Sequence, residues 1–508
     1  MLAVAAQMLQ LHRLALSKAM KQLHFLLLTA AVIAYLFDSV AGNNRDDAFI
    51  GYSERLECLD RLDHCGDRAR HARCLTDPYN MRTFCPISCA VSKCMSTGTL
   101  KVRHVGFATE EDTLVFAQRW AARSTGEQAY LHLNNTHPNF RRRSIVGSPL
   151  TLSSLGVGTY LGDLDSRTDD AVAAAVIHSV VNGWNVIDTA SNYRWGRAES
   201  SIGAALDSLL AGAATRDFLA EQQYFSDVTR SMLFISTKAG FTDEALVREL
   251  VQAKQLDRRA ASGGHSMAPA YLVASLNASL ARLNLQTVDL LYLHNAAEMQ
   301  LKQLGWPAFR VKLKEAFEAF ESLRAAGSIR SYGMATWDCF RVPPSDPGHV
   351  NLEEVVAVAK EAAGGGPSGF AAVQLPISAS MPEAWLQPWQ RVDNESVTLM
   401  RAAERLGVAV FTSGPLGEGE LLKRLTSHLD PVVQLRAQST TAQKLLQLAR
   451  STPGHSMAST LVGHKTREYV EANTALAGQA PLKEPEFQEA MLHVKAILGG
   501  GDGAASTR

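Results

Sequence analysis

From Ser153 to about Gly463 the chain alternates short apolar runs with longer segments of helical periodicity, eight times over. The apolar runs predict strands over Ser154–Thr159, Asn185–Asp188, Leu233–Lys238, Val288–His294, Ile329–Ala335, Ala371–Pro376, Val408–Ser413 and Ser459–Gly463. Helical patterns follow them. Behind an Asp-Ser cap, Thr168 to Val181 places Val172, Ala175, Val176 and Val180 on one face; Leu313, Ala316, Phe317, Phe320 and Leu323 mark another helix, ended by Gly327. Gly366 and Gly407 are read as ending two more. Strands that alternate with helices argue for a parallel sheet, and eight such units predict an α/β fold of the closed (β/α)8, or TIM-barrel, type. The rival is a doubly wound open sheet. It lacks its dinucleotide fingerprint here, because Gly156-x-Gly158 is followed by Leu161 where the third glycine should stand.

The polar residues of this body gather where the strands stop. Asp188, Lys238 and His294 close the second, third and fourth strands; Thr336 follows the fifth, Gln374 lies in the sixth and Ser413 closes the seventh. In a barrel those ends converge on one face, the catalytic one. A single charge at a strand end is ordinarily a solvated loop residue. Three titratable groups ending three consecutive buried strands point to chemistry. Lys+Arg 50 against Asp+Glu 50 leaves no basic footprint, so a nucleic-acid partner is not expected.

Asp188-Thr189-Ala190-Ser191-Asn192-Tyr193-Arg194-Trp195-Gly196-Arg197-Ala198-Glu199 resembles the D-T-A-x-x-Y-x-x-G-x-x-E signature of aldo-keto reductases. Ile235-Ser236-Thr237-Lys238 and Asp289-Leu290-Leu291-Tyr292-Leu293-His294 resemble that family's lysine and histidine motifs, in the same order. The resemblance implies an NADPH-dependent oxidoreductase that moves a hydride between nicotinamide and an aldehyde or ketone. It assigns Tyr193 as general acid, Lys238 as the ammonium expected to lower its pKa, Asp188 as the anchor of Lys238, and His294 as the group polarising the carbonyl. It also implies NADP(H) contacts from Thr159, Tyr160, Asp188, Thr336, Gln374, Ser413, Gly414, Leu416, Gly463, Lys465, Thr466 and Asn473, with Lys465 and Thr466 facing a 2′-phosphate. The sequence departs from the family at Ser413, where an aromatic commonly stacks on nicotinamide, and at Ala472, where a Glu commonly precedes Asn473. Trp195, Trp306, Trp337, Trp385 and Trp389 lie in loops leaving the strand ends and are candidates to line a substrate pocket; the first three are taken as the substrate set. Phe241 to Pro269 is an insertion that reads as a lid, flexible at Gly263-Gly264. The alternative reading is a catalytically weak nicotinamide-binding scaffold or redox sensor. No metal site is expected.

The N-terminal part has a different history. His12, Arg13, Lys18 and Lys21 precede an apolar run from Leu23 to Phe37, with small residues at Ser39-Val40-Ala41. The run is short for a membrane span and typical of a signal peptide. A cleaved signal and an uncleaved membrane anchor both remain open, and either sends the chain into the secretory pathway. Six of the 7 cysteines, Cys58, Cys65, Cys74, Cys85, Cys89 and Cys94, then cluster in a segment too short to bury a core. Their spacing suits a disulfide framework and leaves the pairing open. With Cys58-x-Asp60, Asp77-Pro78-Tyr79-Asn80-Met81 and Cys85-Pro86-x-Ser88-Cys89 the segment resembles the ShK-toxin-like (ShKT) module. That resemblance implies pairs Cys58–Cys94, Cys65–Cys85 and Cys74–Cys89, and a protein or glycan partner. Further on, Glu110 to Arg123 predicts an amphipathic helix, and Asn134-Asn135-Thr136 is a glycosylation sequon. The expected organisation is a signal or anchor at 1–41, the ShKT-like module at 55–95, a linker with helix at 96–144, the barrel at 145–490 and a flexible tail at 491–508.

Overall fold

A computed structural model of the chain describes residues 103–124, 140–145, 147–210, 228–425, 429, 432–433, 435 and 439–500. The signal or anchor segment, the six-cysteine module and the sequon lie outside the described residues. Among the described residues no helix is long and apolar enough to cross a membrane.

The chain enters through α1 (Glu110–Ser124) and an antiparallel hairpin, β1 (Phe140–Ile145) and β2 (Ser148–Ser153). Eight parallel strands follow: β3 (Leu155–Gly158), β4 (Val186–Asp188), β5 (Phe234–Ala239), β6 (Val288–His294), β7 (Ile329–Ala335), β8 (Phe370–Pro376), β11 (Ala409–Ser413) and β12 (Met457–Gly463). They close into one barrel in the order β11-β12-β3-β4-β5-β6-β7-β8. The remaining pair, β9 (Gln390–Val392) and β10 (Glu395–Val397), is a small hairpin outside it. The open-sheet rival is excluded by the closure between β12 and β3.

The principal helices are α2 (Ser166–Val181), α3 (Arg197–Leu210), α4 (Glu244–Gln252), α5 (Pro269–Leu283), α6 (Trp306–Ala325), α7 (Leu352–Ala362), α8 (Leu399–Leu406), α9 (Thr441–Arg450), α10 (Arg467–Thr474) and α11 (Glu484–Gly500). The last of these, α11, runs into the stretch read as a flexible tail, where Met491 and Val494 are buried in a core cluster. Asp165 caps α2 by accepting from the Thr168 amide at 2.8 Å, and Gly407 ends α8 in the left-handed conformation. The predicted stop at Gly366 moves slightly: α7 ends at Ala362 with Ala363 as its cap, and the left-handed residues that follow are Gly364 and Gly365.

Two layers of core result. Val186, Phe234, Leu290, Tyr292, Phe411 and Leu461 fill the barrel interior, with Phe234 and Phe411 stacked at 5.5 Å. Ile145, Leu150 and Leu152 of the hairpin join this inner core. The larger layer lies between strands and helices. The stripe predicted for α1, with Phe116 and Trp120, belongs to that larger layer, so this helix is built into the barrel wall rather than standing off as a linker. The insertion after β5 also has a core of its own, formed by Val247, Leu250, Leu256, Ala261 and Tyr271.

Candidate active site

Asp188 closes β4, Lys238 stands next to last in β5 and His294 closes β6. Parallel pairing sets Asp188 beside Ser236 and Lys238 beside Tyr292, so these polar groups meet at the C-terminal rim. Lys238 Nζ donates to Asp188 Oδ2 at 2.5 Å, to the Thr189 carbonyl at 2.8 Å and to Tyr193 OH at 3.1 Å. An ammonium has three protons, and all three are engaged. Asp188 Oδ1 accepts from Ser236 Oγ at 2.7 Å and Gln374 Nε2 at 2.9 Å. A buried ion pair is tolerated when its remaining donors and acceptors are satisfied, and here they are.

Burial works against the Lys238 ammonium, yet Asp188 and the Tyr193 phenol more than offset it and the lysine pKa is raised. Burial pushes the Tyr193 phenol up, Lys238 pulls it back and Asp188 pushes it up again, so its pKa is also raised. Lys238 thus acts on Tyr193 in the expected, acidifying direction, but the net shift is upward. Desolvation costs the phenolate more than one ammonium returns, and that ammonium is largely neutralised by Asp188. His294 is held well below the ordinary histidine range by burial, by Lys238 and by His265, in that order. Its ring is neutral.

Tyr193 is seated by an unusual turn. Arg194 (φ 50°), Trp195 (φ 57°) and Gly196 (φ 83°) are successive left-handed residues. For the two that carry side chains this costs on the order of 1–2 kcal/mol each, so the surroundings must hold the turn. Arg194 Nε donates to the Asp163 carbonyl at 3.0 Å, and the Asp169 carboxylate takes both Arg194 and Arg197. The Tyr193 turn is thereby tied to the loop after β3. A Cβ on Gly196 would lie 3.0 Å from Arg282 Cδ; Arg282 in turn donates to Glu199, which also accepts from Thr237 Oγ1, both at 2.6 Å. The Gly and Glu of the sequence signature are the supports of this turn.

Aromatic rings enclose the phenol. Tyr160 lies 5.0 Å from the Tyr193 ring and His294 5.9 Å from it, with Phe241 edge-on to His294 at 4.9 Å. Phe241 and His265 come from the insertion. His265 Nε2 donates to the His294 carbonyl at 2.7 Å, and Gln300 Nε2 donates to His265 Nδ1 at 2.9 Å. The insertion is thus docked as a wall of the site. Gly263 and Gly264 are left-handed, with open space around them.

Thr159 is buried and its hydroxyl donates to the Asp188 carbonyl at 3.2 Å; Tyr160 is 53% exposed beside it. Thr336 and Gln374 occupy neighbouring strand ends, since Ala335 pairs with Gln374. Ser413, Gly414 and Leu416 follow on the β11 loop, half-buried, with Gly414 at φ 58° close to the Trp337 ring. Gly463 ends β12, next to Gly158 of β3. Lys465 and Thr466 follow it, Lys465 reaching Gly162 and Thr466 capping α10. Between them and the core, His464 is locked by Ser179 Oγ at 2.8 Å, Asn473 Nδ2 at 3.2 Å and the stacked Trp184 ring. Asn473, expected to face a base, is buried against His464.

Among the tryptophans, Trp195 (70% exposed) and Trp337 (40% exposed) stand free on site loops. Trp306 does not. Its ring packs on Phe309 at 6.0 Å and against the outer core, because it opens α6 rather than lying in the preceding loop. Trp385 packs similarly on Phe487. The sequence reading missed Phe241, His265 and Glu298, which lie beyond the strands themselves, in the insertion after β5 and on the turn after β6. The one available signal was a lone carboxylate, Glu298, four residues past His294 in an otherwise uncharged stretch.

A closed parallel barrel with a buried Lys-Asp pair hydrogen-bonded to a tyrosine, and a neutral histidine beside it, is the framework of a barrel oxidoreductase. The aldo/keto reductase family profile matches residues 154–462, more than half of the chain. The chain belongs to the aldo/keto reductase family. It is 22% identical over 367 residues to the uncharacterized oxidoreductase YqkF of Bacillus subtilis, covering 70% of this chain and 97% of that protein. It is 25% identical over 193 residues to norsolorinic acid reductase B of Aspergillus parasiticus, covering 38% of this chain and 41% of that one. Among solved structures, an aldo/keto reductase of Klebsiella pneumoniae in complex with NADP and acetate aligns with TM-score 0.45 at 20% identity, over 69% of this chain and 94% of that one.

Proposed function

We propose that this protein is an NADPH-dependent reductase of aldehydes or ketones in which Tyr193 delivers the proton. The observation that carries the reading is the contact of Tyr193 OH with Lys238 Nζ at 3.1 Å, backed by Asp188. The residues available fit the coenzyme. Thr336 and Gln374 stand together at strand ends, Glu298 Oε2 is a buried oxygen with no partner beside Thr336, and Lys465 forms no ion pair among the described residues. Thr336 and Gln374 would hold the carboxamide; Lys465 and Thr466 would hold the 2′-phosphate.

When bound, NADPH would supply a hydride to the carbonyl carbon, itself becoming NADP⁺. The chain's own residues do the rest. Tyr193 gives its hydroxyl proton to the developing alkoxide, so hydride and proton together convert the C=O into CH–OH. Neutral His294 offers a ring N–H to the same oxygen and orients it. Lys238 stabilises the phenolate left behind, and Asp188 keeps Lys238 charged and in place. A positioned acid of this kind contributes about 10²–10⁴ in rate. Tyr160 and Phe241, packed beside Tyr193 and His294, would limit the access of bulk water to the reacting oxygen. The intact Asp188, Tyr193, Lys238 and His294 set favours catalysis over a binding scaffold. From the sequence we further infer that the barrel works in the secretory pathway behind the ShKT-like module.

The test is NADPH oxidation by the full-length protein across a panel of aldehydes, ketones and sugars, with Tyr193→Phe alongside. Turnover that collapses in the variant supports the reading. NADPH binding without turnover of any carbonyl would hand the lead to the scaffold.

A further inference from the structure

Glu298 lies just beyond β6, on a π-helical turn, Ala297–Leu301, entered through Asn295 at φ 49°. The Asn295 amide donates to the Ala335 carbonyl at 2.7 Å, which draws this turn against the loop after β7. Glu298 Oε1 there accepts from the amides of Trp337 at 2.9 Å, Asp338 at 2.8 Å and Cys339 at 3.2 Å. It also accepts the Thr336 hydroxyl proton. Its second oxygen is buried without a partner.

A threonine hydroxyl has one proton and two lone pairs. The competing acceptor, Cys339 Sγ at 3.1 Å, is a weak one, whereas a carboxylate forms the stronger charge-assisted bond. With its proton committed to Glu298 and one lone pair taken at long range by the Cys339 amide at 3.4 Å, Thr336 Oγ1 keeps one lone pair and can act toward a ligand only as an acceptor. Gln374 is constrained in the same sense, because its amide nitrogen donates to Asp188 and its oxygen is left over. Two neighbouring strand ends therefore present oxygens, and the complement is an amide NH₂.

We propose that Glu298 is a positioning residue for the coenzyme, taking the Thr336 proton so that Thr336 Oγ1 receives an N–H of the nicotinamide carboxamide. The inference rests on the NADPH reading above and deepens it. Glu298 touches neither the carbonyl substrate nor the hydride.

The probe is the 3-acetylpyridine analogue of NADPH, which carries a methyl where the amide NH₂ stands. Dissociation constants of NADPH and the analogue would be measured by fluorescence titration of the full-length protein. Wild type is expected to prefer NADPH. Thr336→Val, which leaves Glu298 and its three amide donors in place, should cut that preference about tenfold, the worth of roughly one hydrogen bond. Glu298→Ala should cut it similarly, and the double variant no further. Glu298→Gln keeps an oxygen for Thr336 and should retain the preference. Equal loss of both ligands in Thr336→Val and Glu298→Ala would overturn the role of Glu298 while leaving NADPH binding intact. A wild type that binds neither ligand would overturn the coenzyme assignment itself.

Discussion

His265 donates from Nε2 to the main-chain carbonyl of His294 at 2.7 Å, although the two residues lie 29 positions apart, one in the insertion and one at the end of a barrel strand. The contact joins the insertion after β5 to the end of β6, at the residue that bounds the reacting tyrosine. Gly240 lies where the two meet: a Cβ there would sit 2.6 Å from His265 Nε2 and 2.9 Å from the His294 carbonyl.

The His294 ring should therefore lose its setting when His265 goes. His265→Leu is expected to lower kcat for carbonyl reduction roughly tenfold, in line with the loss of about one buried hydrogen bond, while NADPH affinity stays within twofold. Steady-state kinetics with a direct binding titration separates the two. Gly240→Ala should reproduce the defect, since its methyl occupies the same space. A drop in NADPH affinity as large as the drop in kcat would show that His265 merely holds the fold.

Tyr193 and Lys238 should fail as a unit. Tyr193→Phe removes one hydroxyl and leaves the buried pair of Lys238 and Asp188 intact, so Tm should hold while reduction falls about 10²–10⁴. Lys238→Met should lose as much activity, because the one group that lowers the phenol's pKa is gone, and the double variant should lose little more. It should also lose stability by about 3–5 kcal/mol, since it strands the Asp188 carboxylate. The pH dependence follows from the raised Tyr193 pKa. A general acid acts while protonated, so reduction should persist up to and beyond pH about 10, where a free phenol titrates. A fall in reduction centred between pH 7 and 9, roughly, would count against Tyr193 as the donor.

All eight strands were legible in the sequence because each is an apolar run stopped by a polar or turn residue, and observed boundaries fall within two residues of those read. Asp188, Lys238 and His294 were legible for the same reason: a charge ending a buried run stands out. Glu298, His265 and Phe241 were not, since their roles arise only when two loops meet. The direction of the Tyr193 shift was illegible too. It is a balance of burial against two opposite charges, and burial is a property of the fold. Trp306 shows the limit from the other side, as residue type alone cannot distinguish a rim tryptophan from one packed on the outer core.

NADPH should be preferred over NADH chiefly through Lys465. Lys465→Ala is expected to weaken NADPH about 10–100-fold, the worth of one hydrogen bond between charged groups, and to leave NADH within twofold. Binding titrations with both coenzymes decide it. Equal losses would make Lys465 a support of the β12 loop.

The redox state of the cysteines tests the secretory reading. Denatured but unreduced protein should take up alkylating reagent at Cys339 alone, and native protein hardly at all, because Cys339 is 1% exposed. Mass measurement before and after reduction counts the thiols. Uptake at the clustered cysteines without reductant would reject both the disulfide framework and the oxidising compartment.

Acid should destabilise the barrel earlier than its carboxylates alone would. Burial holds His265 and His464 at about 4, against 6.5 for a free imidazole. Above pH 6.5 both states bind no proton at these rings and there is no penalty. Below it the unfolded chain protonates while the folded one does not, so stability falls with pH until the folded rings titrate near 4. For each residue the full effect is about 3 kcal/mol. Chemical denaturation at pH 7 and pH 5 should show a loss of a few kcal/mol. His464→Gln, which keeps a hydrogen-bonding group between Ser179 and Asn473 but cannot be protonated in this range, should remove part of that loss. An unchanged slope between pH 7 and 5 in the variant would mean that the His464 ring is not kept neutral by the fold.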